Sequence, residues 1–136
     1  MALSLLNQME GGDDVLKPNT WVYNAAMLAC IESINSNSNG MDLVTSFDIL
    51  EKMEMNGVNN TAAPDTVTYN TALSALDDCS FASVKEAMSL TEKNKASHNR
   101  LSKHDRIYDV VFDILDTMKD RGVTRDAITY YNAIIT

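Results

Sequence analysis

One phrase written three times constrains this chain more than any other feature. Residues 18–30 read PNTWVYNAAMLAC, residues 64–76 read PDTVTYNTALSAL, and residues 125–136 read RDAITYYNAIIT. A second phrase alternates with it: ILEKMEMNGV at 49–58, ILDTMKDRGVTRD at 114–126, and a weaker copy, LLNQMEGG, at 5–12. Calling these the A and B segments, the order is B, A–B, A–B, A. Self-similarity at this scale points to a stack of like units, each of which buries its apolar face against a neighbour.

Both segments carry helical periodicity. In the first A segment, Tyr23, Met27, Cys30, Ile31 and Ile34 fall on one face. Tyr69, Leu73 and Leu76 repeat the pattern in the second. The B segments show stripes at Leu43, Phe47, Leu50, Met53 and at Ile107, Val111, Ile114, Met118. Such spacings belong to helices rather than strands. Asn19, Asp65 and Asp126 are natural N-caps, because a short side-chain oxygen can accept an orphan backbone N–H. Gly57 and Gly122 suit the left-handed position that closes a helix. Pro18 and Pro64 stand between helices, where a missing N–H breaks nothing. The predicted helices are 2–10, 21–33, 42–56, 67–77, 106–121 and 128–136. The predicted core is Tyr23, Met27, Phe47, Leu50, Met53, Tyr69, Leu73, Phe112, Leu115 and Met118.

TVTYNTAL at 66–73 and FDILDTMKDRGVTRD at 112–126 resemble the two halves of the pentatricopeptide repeat. That family's repeat runs V-V-T-Y-N-T-L-I, a turn, then E-A-L-E-L-F-E-E-M-K-x-x-G-x-x-P-D, and is about thirty-five residues long, within the usual range for stacked repeats. Arg125 stands where the family has proline. The tetratricopeptide pattern fits poorly, since Trp-x-x-Leu-Gly is missing. The resemblance implies an all-α, right-handed α-solenoid of antiparallel helix-turn-helix repeats. Residues 1–19 would be a partial repeat, 20–65 and 66–126 repeats, and 127–136 another partial one. A chain that begins inside a helix and shows no caps reads as a fragment of a longer array.

The spacing departs from the family. Asn24 and Asn70 lie 46 residues apart. The surplus falls in the polar run NSNSNG at 35–40 and in NNTAA at 59–63, and the second repeat carries a long insertion at about 78–106. The stretch ASVKEAMSLTEKNK at 82–95 predicts a further helix. The doubled Tyr130-Tyr131 leaves either Tyr131 or Asn132 at the family's asparagine position, and Asn132 is favoured.

Composition fits one domain's length of chain with an ordinary apolar fraction. No run of eighteen apolar residues is present, so no membrane span is expected. The N-terminus has neither a secretory core nor an Arg- and Ser-rich transit helix. Cys30 and Cys79 read as small buried residues of a reducing compartment. His98 and His104 are six apart, off a single helical face, and with two cysteines at these spacings they make no zinc site. The sequon Asn59-Asn60-Thr61 carries no weight without a secretion signal. No phosphate loop, nucleophile elbow or metal-ligand pair is visible, so neither enzymatic activity nor a metal or cofactor is expected.

Charge opposes the function that the resemblance implies. The net charge is −8, whereas nucleic-acid binders usually carry a basic footprint. The distribution is uneven. Residues 1–79 hold Lys17 and Lys52 against eleven acids, whereas residues 80–106 hold Lys85, Lys93, Lys95, Arg100, Lys103 and Arg106 against three. Those six cations are the candidate phosphate contacts; a solvated linker is the plainer reading of the same segment.

The resemblance implies binding of single-stranded RNA, one base per repeat, on organellar transcripts in a mitochondrion or chloroplast. In that family the asparagine of Tyr-Asn and the last residue of the repeat choose the base. Carried over, Asn24 pairs with Asp65 and Asn70 with Asp126, with Asn132 beginning a third site. Trp21 and Val67 would flank the bases, and Ile128 or Thr129 would do so in the partial copy. The Asn–Asp pair implies uracil, whose N3–H a carboxylate can accept and whose place in cytosine is taken by a bare acceptor. Helix capping alone also accounts for both aspartates. The alternative function is an acidic α-solenoid scaffold for a protein partner.

Overall fold

The computed structural model describes residues 2–11, 17–37, 41–56, 62–77 and 103–136. They form six helices and no strand among the described residues: α1 (Ala2–Glu10), α2 (Thr20–Asn37), α3 (Met41–Asn56), α4 (Thr66–Asp77), α5 (Lys103–Asp120) and α6 (Ala127–Ile135). The expected all-α class is therefore observed. The A segments are α2, α4 and α6; the B segments are α1, α3 and α5. Helix α2 runs four residues beyond its predicted end, into the polar NSN, because nothing in that stretch forbids helix. The insertion, with its expected helix at 82–95, lies outside the described residues apart from the start of α5. Gly57 and Cys79 also lie outside them.

Local chemistry fixes the helix ends. Asn19 caps α2, its Oδ1 accepting from Val22 N at 3.1 Å. Helices α4 and α6 begin with a fuller device: Asp65 Oδ1 accepts from Thr68 N at 2.9 Å while Asp65 N donates to Thr68 Oγ1 at 3.0 Å. Asp126 and Thr129 repeat this at 2.9 and 3.1 Å. Each is a reciprocal capping box, in which the threonine hydroxyl takes the role that a glutamate usually fills. Helix α5 ends in a Schellman turn. Gly122 adopts φ 67°, Val123 N reaches Met118 O at 2.8 Å, and Gly122 N reaches Lys119 O at 3.0 Å.

Helix α4 is the hub, packing on α2, α3, α5 and α6, while α2 packs on α1, α3 and α4. The A helices thus lie side by side, α2 against α4 and α4 against α6. Only three residues separate α2 from α3, a length that joins antiparallel neighbours. The core holds Tyr23, Met27, Leu43, Ile49, Leu50, Met53, Tyr69, Leu73 and Met118. Deeply buried side chains of this kind supply most of the stabilisation, at about 1.5–3 kcal/mol each.

The expected core needs correction in α5. Phe112 is 62% exposed, and Leu115 is only half-buried, as is Phe47 of α3. The buried stripe of α5 is Ile107, Val111, Ile114 and Met118. Phe112 follows Val111 by one residue, about 100° around a helix of 3.6 residues per turn. Among the described residues α4 is the chief neighbour of α5, and it covers one narrow face.

The repeated phrase is also a repeated set of contacts. Tyr23 donates to Glu10 Oε1 at 2.8 Å, and Tyr69 donates to Glu54 Oε1 at 3.0 Å. Thr20 Oγ1 donates to Ala63 O at 2.9 Å, and Thr66 Oγ1 donates to Thr124 O at 2.7 Å. Each bond ties an A helix either to the preceding B helix or to the strap that leads into the next A helix. Tyr130 holds the place of Tyr23 and Tyr69, yet is 47% exposed. Lys119 there replaces the glutamate that accepts from Tyr23 and Tyr69.

Candidate base-reading surface

The third residue of each capping box brings two A helices together. Asn24 of α2 donates from Nδ2 to Asp65 Oδ1 at 3.2 Å, and its Oδ1 receives the Thr68 hydroxyl at 2.7 Å. Asn70 of α4 does the same with Asp126 at 3.1 Å and Thr129 at 2.6 Å. The two pairs named from the sequence are therefore direct hydrogen-bonded pairs, built twice with one geometry. Asn24 and Asn70 are half-buried rather than fully open, because their amides are held at both ends. Thr68 and Thr129 are wholly buried. The sequence reading passed over Thr68 and offered Thr129 only as an alternative to Ile128 for flanking a base, which its burial overturns, although Asp-x-x-Thr, written at 65–68 and again at 126–129, is the signal for both.

Asp126 is the more exposed carboxylate of the two. Its pKa is held below the ordinary 3.8, first by the Thr129 backbone N–H and then by the Asn70 amide, against a smaller opposing effect of desolvation. The charge is therefore secure at neutral pH. The hydrogen bonds described above fall on Asp126 Oδ1, and the Ile128 backbone N–H also bears on the carboxylate; with about four lone-pair sites in all, the carboxylate keeps acceptor capacity beside the second Asn70 Nδ2–H.

Apolar side chains flank the pairs on the same helices. Trp21, Val67 and Ile128 each stand two residues before the tyrosine of their phrase, and they are 84, 57 and 58% exposed. Large apolar groups thus stand open at equivalent positions of all three A helices. Between Val67 and Ile128 lies a groove of about 320 Å³, walled by Leu28, Ile31, Asn70 and Asp126 as well. That size is at the small end of ligand clefts, which run to roughly 300–1,000 Å³.

The third site differs from its expectation. Asn70 follows its cap Asp65 by five residues, and five residues past Asp126 stands Tyr131, which is exposed. Asn132 comes one position later, is buried, and donates from Nδ2 to the Asn70 carbonyl at 3.1 Å. The paired capping boxes set this register, so Tyr131 and not Asn132 is the counterpart of Asn70. Asn132 joins α6 to α4 instead. Of the candidate phosphate contacts, Lys85, Lys93, Lys95 and Arg100 lie outside the described residues. Lys103 and Arg106 fall in the first turn of α5.

No group of three or more metal-ligating side chains occurs among the described residues, and no described helix is long and apolar enough to cross a membrane. The sequence matches no protein-family model and no curated protein.

Proposed function

We propose that this chain is a pentatricopeptide-like solenoid segment that binds single-stranded RNA and reads uracil through its Asn–Asp pairs. The observation that carries this reading is the twice-built pair: Asn24–Asp65 and Asn70–Asp126, each joined by a hydrogen bond across neighbouring A helices. Exposed apolar side chains flank both pairs. A base seated between Val67 and Ile128 gains stacking and apolar contact on its two faces. Its Watson–Crick edge then meets Asp126 Oδ2, an acceptor for the N3–H of uracil, and the spare Asn70 N–H, a donor for the adjacent carbonyl. Trp21 and Val67 enclose the site at Asn24 and Asp65 in the same way. Affinity is weak, because the net charge of −8 repels phosphate and two sites contact few nucleotides. By the same resemblance the setting is organellar RNA metabolism.

The experiment is direct titration of a short uridine-rich RNA strand into the chain, beside variants Trp21→Ala and Val67→Ala. Both side chains are exposed, so folding should be unaffected while affinity falls. Unchanged affinity in both variants would contradict the seating of bases between these positions.

A further inference from the structure

We infer that Thr68 and Thr129 set the base preference of the two Asn–Asp sites by fixing which end of the asparagine amide faces the carboxylate, a role that rests on the base-reading function proposed above. The argument turns on one proton. Thr129 Oγ1 lies 2.6 Å from Asn70 Oδ1 and 2.9 Å from Asp126 Oδ1. It has a single hydrogen to give and already accepts from Asp126 N at 3.1 Å. Asp126 Oδ1 is supplied by Thr129 N at 2.9 Å and by Asn70 Nδ2 at 3.1 Å. The proton therefore goes to Asn70 Oδ1, the shorter contact and the acceptor with the greater need. Thr68 stands in the same relation to Asn24 at 2.7 Å and to Asp65 at 2.9 Å.

Both threonines are fully buried, so water does not compete for these bonds and their electrostatic worth is high. With its Oδ1 held, each amide presents an N–H beside the carboxylate. A donor next to an acceptor complements the carbonyl and N3–H of uracil. Turned over, the amide would set its oxygen against the carboxylate and present two acceptors, which suits an amino-bearing edge instead. The threonine is a positioning residue: it reaches the base only through asparagine. In α2 the corresponding position is Val22, and the cap there is Asn19.

The test compares uridine-rich with cytidine-rich single strands on the whole chain, on the double variant Thr68→Val/Thr129→Val, and on Thr68→Ser/Thr129→Ser, with helicity checked by circular dichroism. The valine variant should lose about fivefold in uridine-over-cytidine discrimination, the worth of one net hydrogen bond, and serine should restore it. A second measurement needs no variant and no RNA. The side-chain amide protons of Asn24 and Asn70, followed by NMR in the unsubstituted chain, should exchange more slowly than those of Asn7. Exchange as fast as at Asn7, or full discrimination in a folded valine variant, would overturn the role. Equal binding of both strands by the unsubstituted chain would instead contradict base reading itself, and this role with it, whatever the amide protons show.

Discussion

Asn70 on α4 gives an amide hydrogen bond to the carboxylate of Asp126, the cap of α6, at 3.1 Å. The same bond spans α2 and the cap of α4, where Asn24 meets Asp65 at 3.2 Å. Two residues that lie 56 positions apart in sequence thus meet because each A helix begins beside the first turns of the one before it. The pair binds like helices together at their N-terminal turns.

The core makes a contrast that stability measurements can read. Leu73 is wholly buried where α4 meets its neighbours, so Leu73→Ala should cost about 2–5 kcal/mol. Phe112 is exposed, so Phe112→Ala should stay within about 0.5 kcal/mol. Urea denaturation of both variants checks this, and a large loss for Phe112→Ala would place α5 in a different rotation.

Gly122 closes α5 at φ 67° with nothing within 4 Å of where a Cβ would sit. Space is therefore no obstacle, and the cost of Gly122→Ala is conformational, about 1–2 kcal/mol. A shift of that size in the denaturation midpoint is expected, with the helix content at low denaturant retained.

Acid should destabilise the fold partly through Asp126, whose folded pKa lies below the ordinary 3.8. Above 3.8 both the folded and the unfolded carboxylate are ionised and the contribution is fully present. As pH falls below that value the unfolded chain takes up its proton first, and the contribution drains away toward the lower folded pKa. Asp126→Asn keeps a capping oxygen and removes the titration, so the acid limb of its stability profile should be shallower.

Alkali acts through Tyr69. Burial, and then the charge of Glu54 and its hydrogen bond, raise the phenol well above its ordinary 10.0, with Arg121 opposing. The contribution is present below 10.0 and is lost as pH climbs from there toward the folded value, since the unfolded chain gives up its proton first. Tyr69→Phe should show a weaker alkaline loss of stability in the same titration.

Much of the fold was legible because the signals were local. The tyrosine, leucine and methionine stripes gave the helices, and Asn19, Asp65 and Asp126 gave their starts. The Asn–Asp pairs came from the resemblance, whose offsets brought together residues that periodicity alone could not pair. The misses were questions of rotation and register. Phe112 and Val111 are neighbours that a helix turns to different sides, and the choice depends on which helices flank α5. Asn132 was favoured over Tyr131, and the capping box at Asp126 and Thr129 moved the count back to Tyr131. Thr68 went unseen, and Thr129 was named only as a possible base flank, because a threonine inside a repeated phrase reads as scaffold, while its hydroxyl acts across to another helix.

The central claim is that the carboxylates of Asp65 and Asp126 read a base, and one titration addresses it most directly. Uridine-rich and cytidine-rich single strands are titrated at two salt concentrations into the unsubstituted chain and into Asp65→Ser/Asp126→Ser, since serine still caps a helix but offers a hydroxyl proton to the bare N3 of cytosine. The unsubstituted chain should prefer uridine, both strands should weaken with salt, and the serine variant should shift toward cytidine. Equal binding of the two strands, unchanged by the substitutions, would contradict base reading. It would leave Asn24–Asp65 and Asn70–Asp126 as joints between helices, in an acidic scaffold for a protein partner.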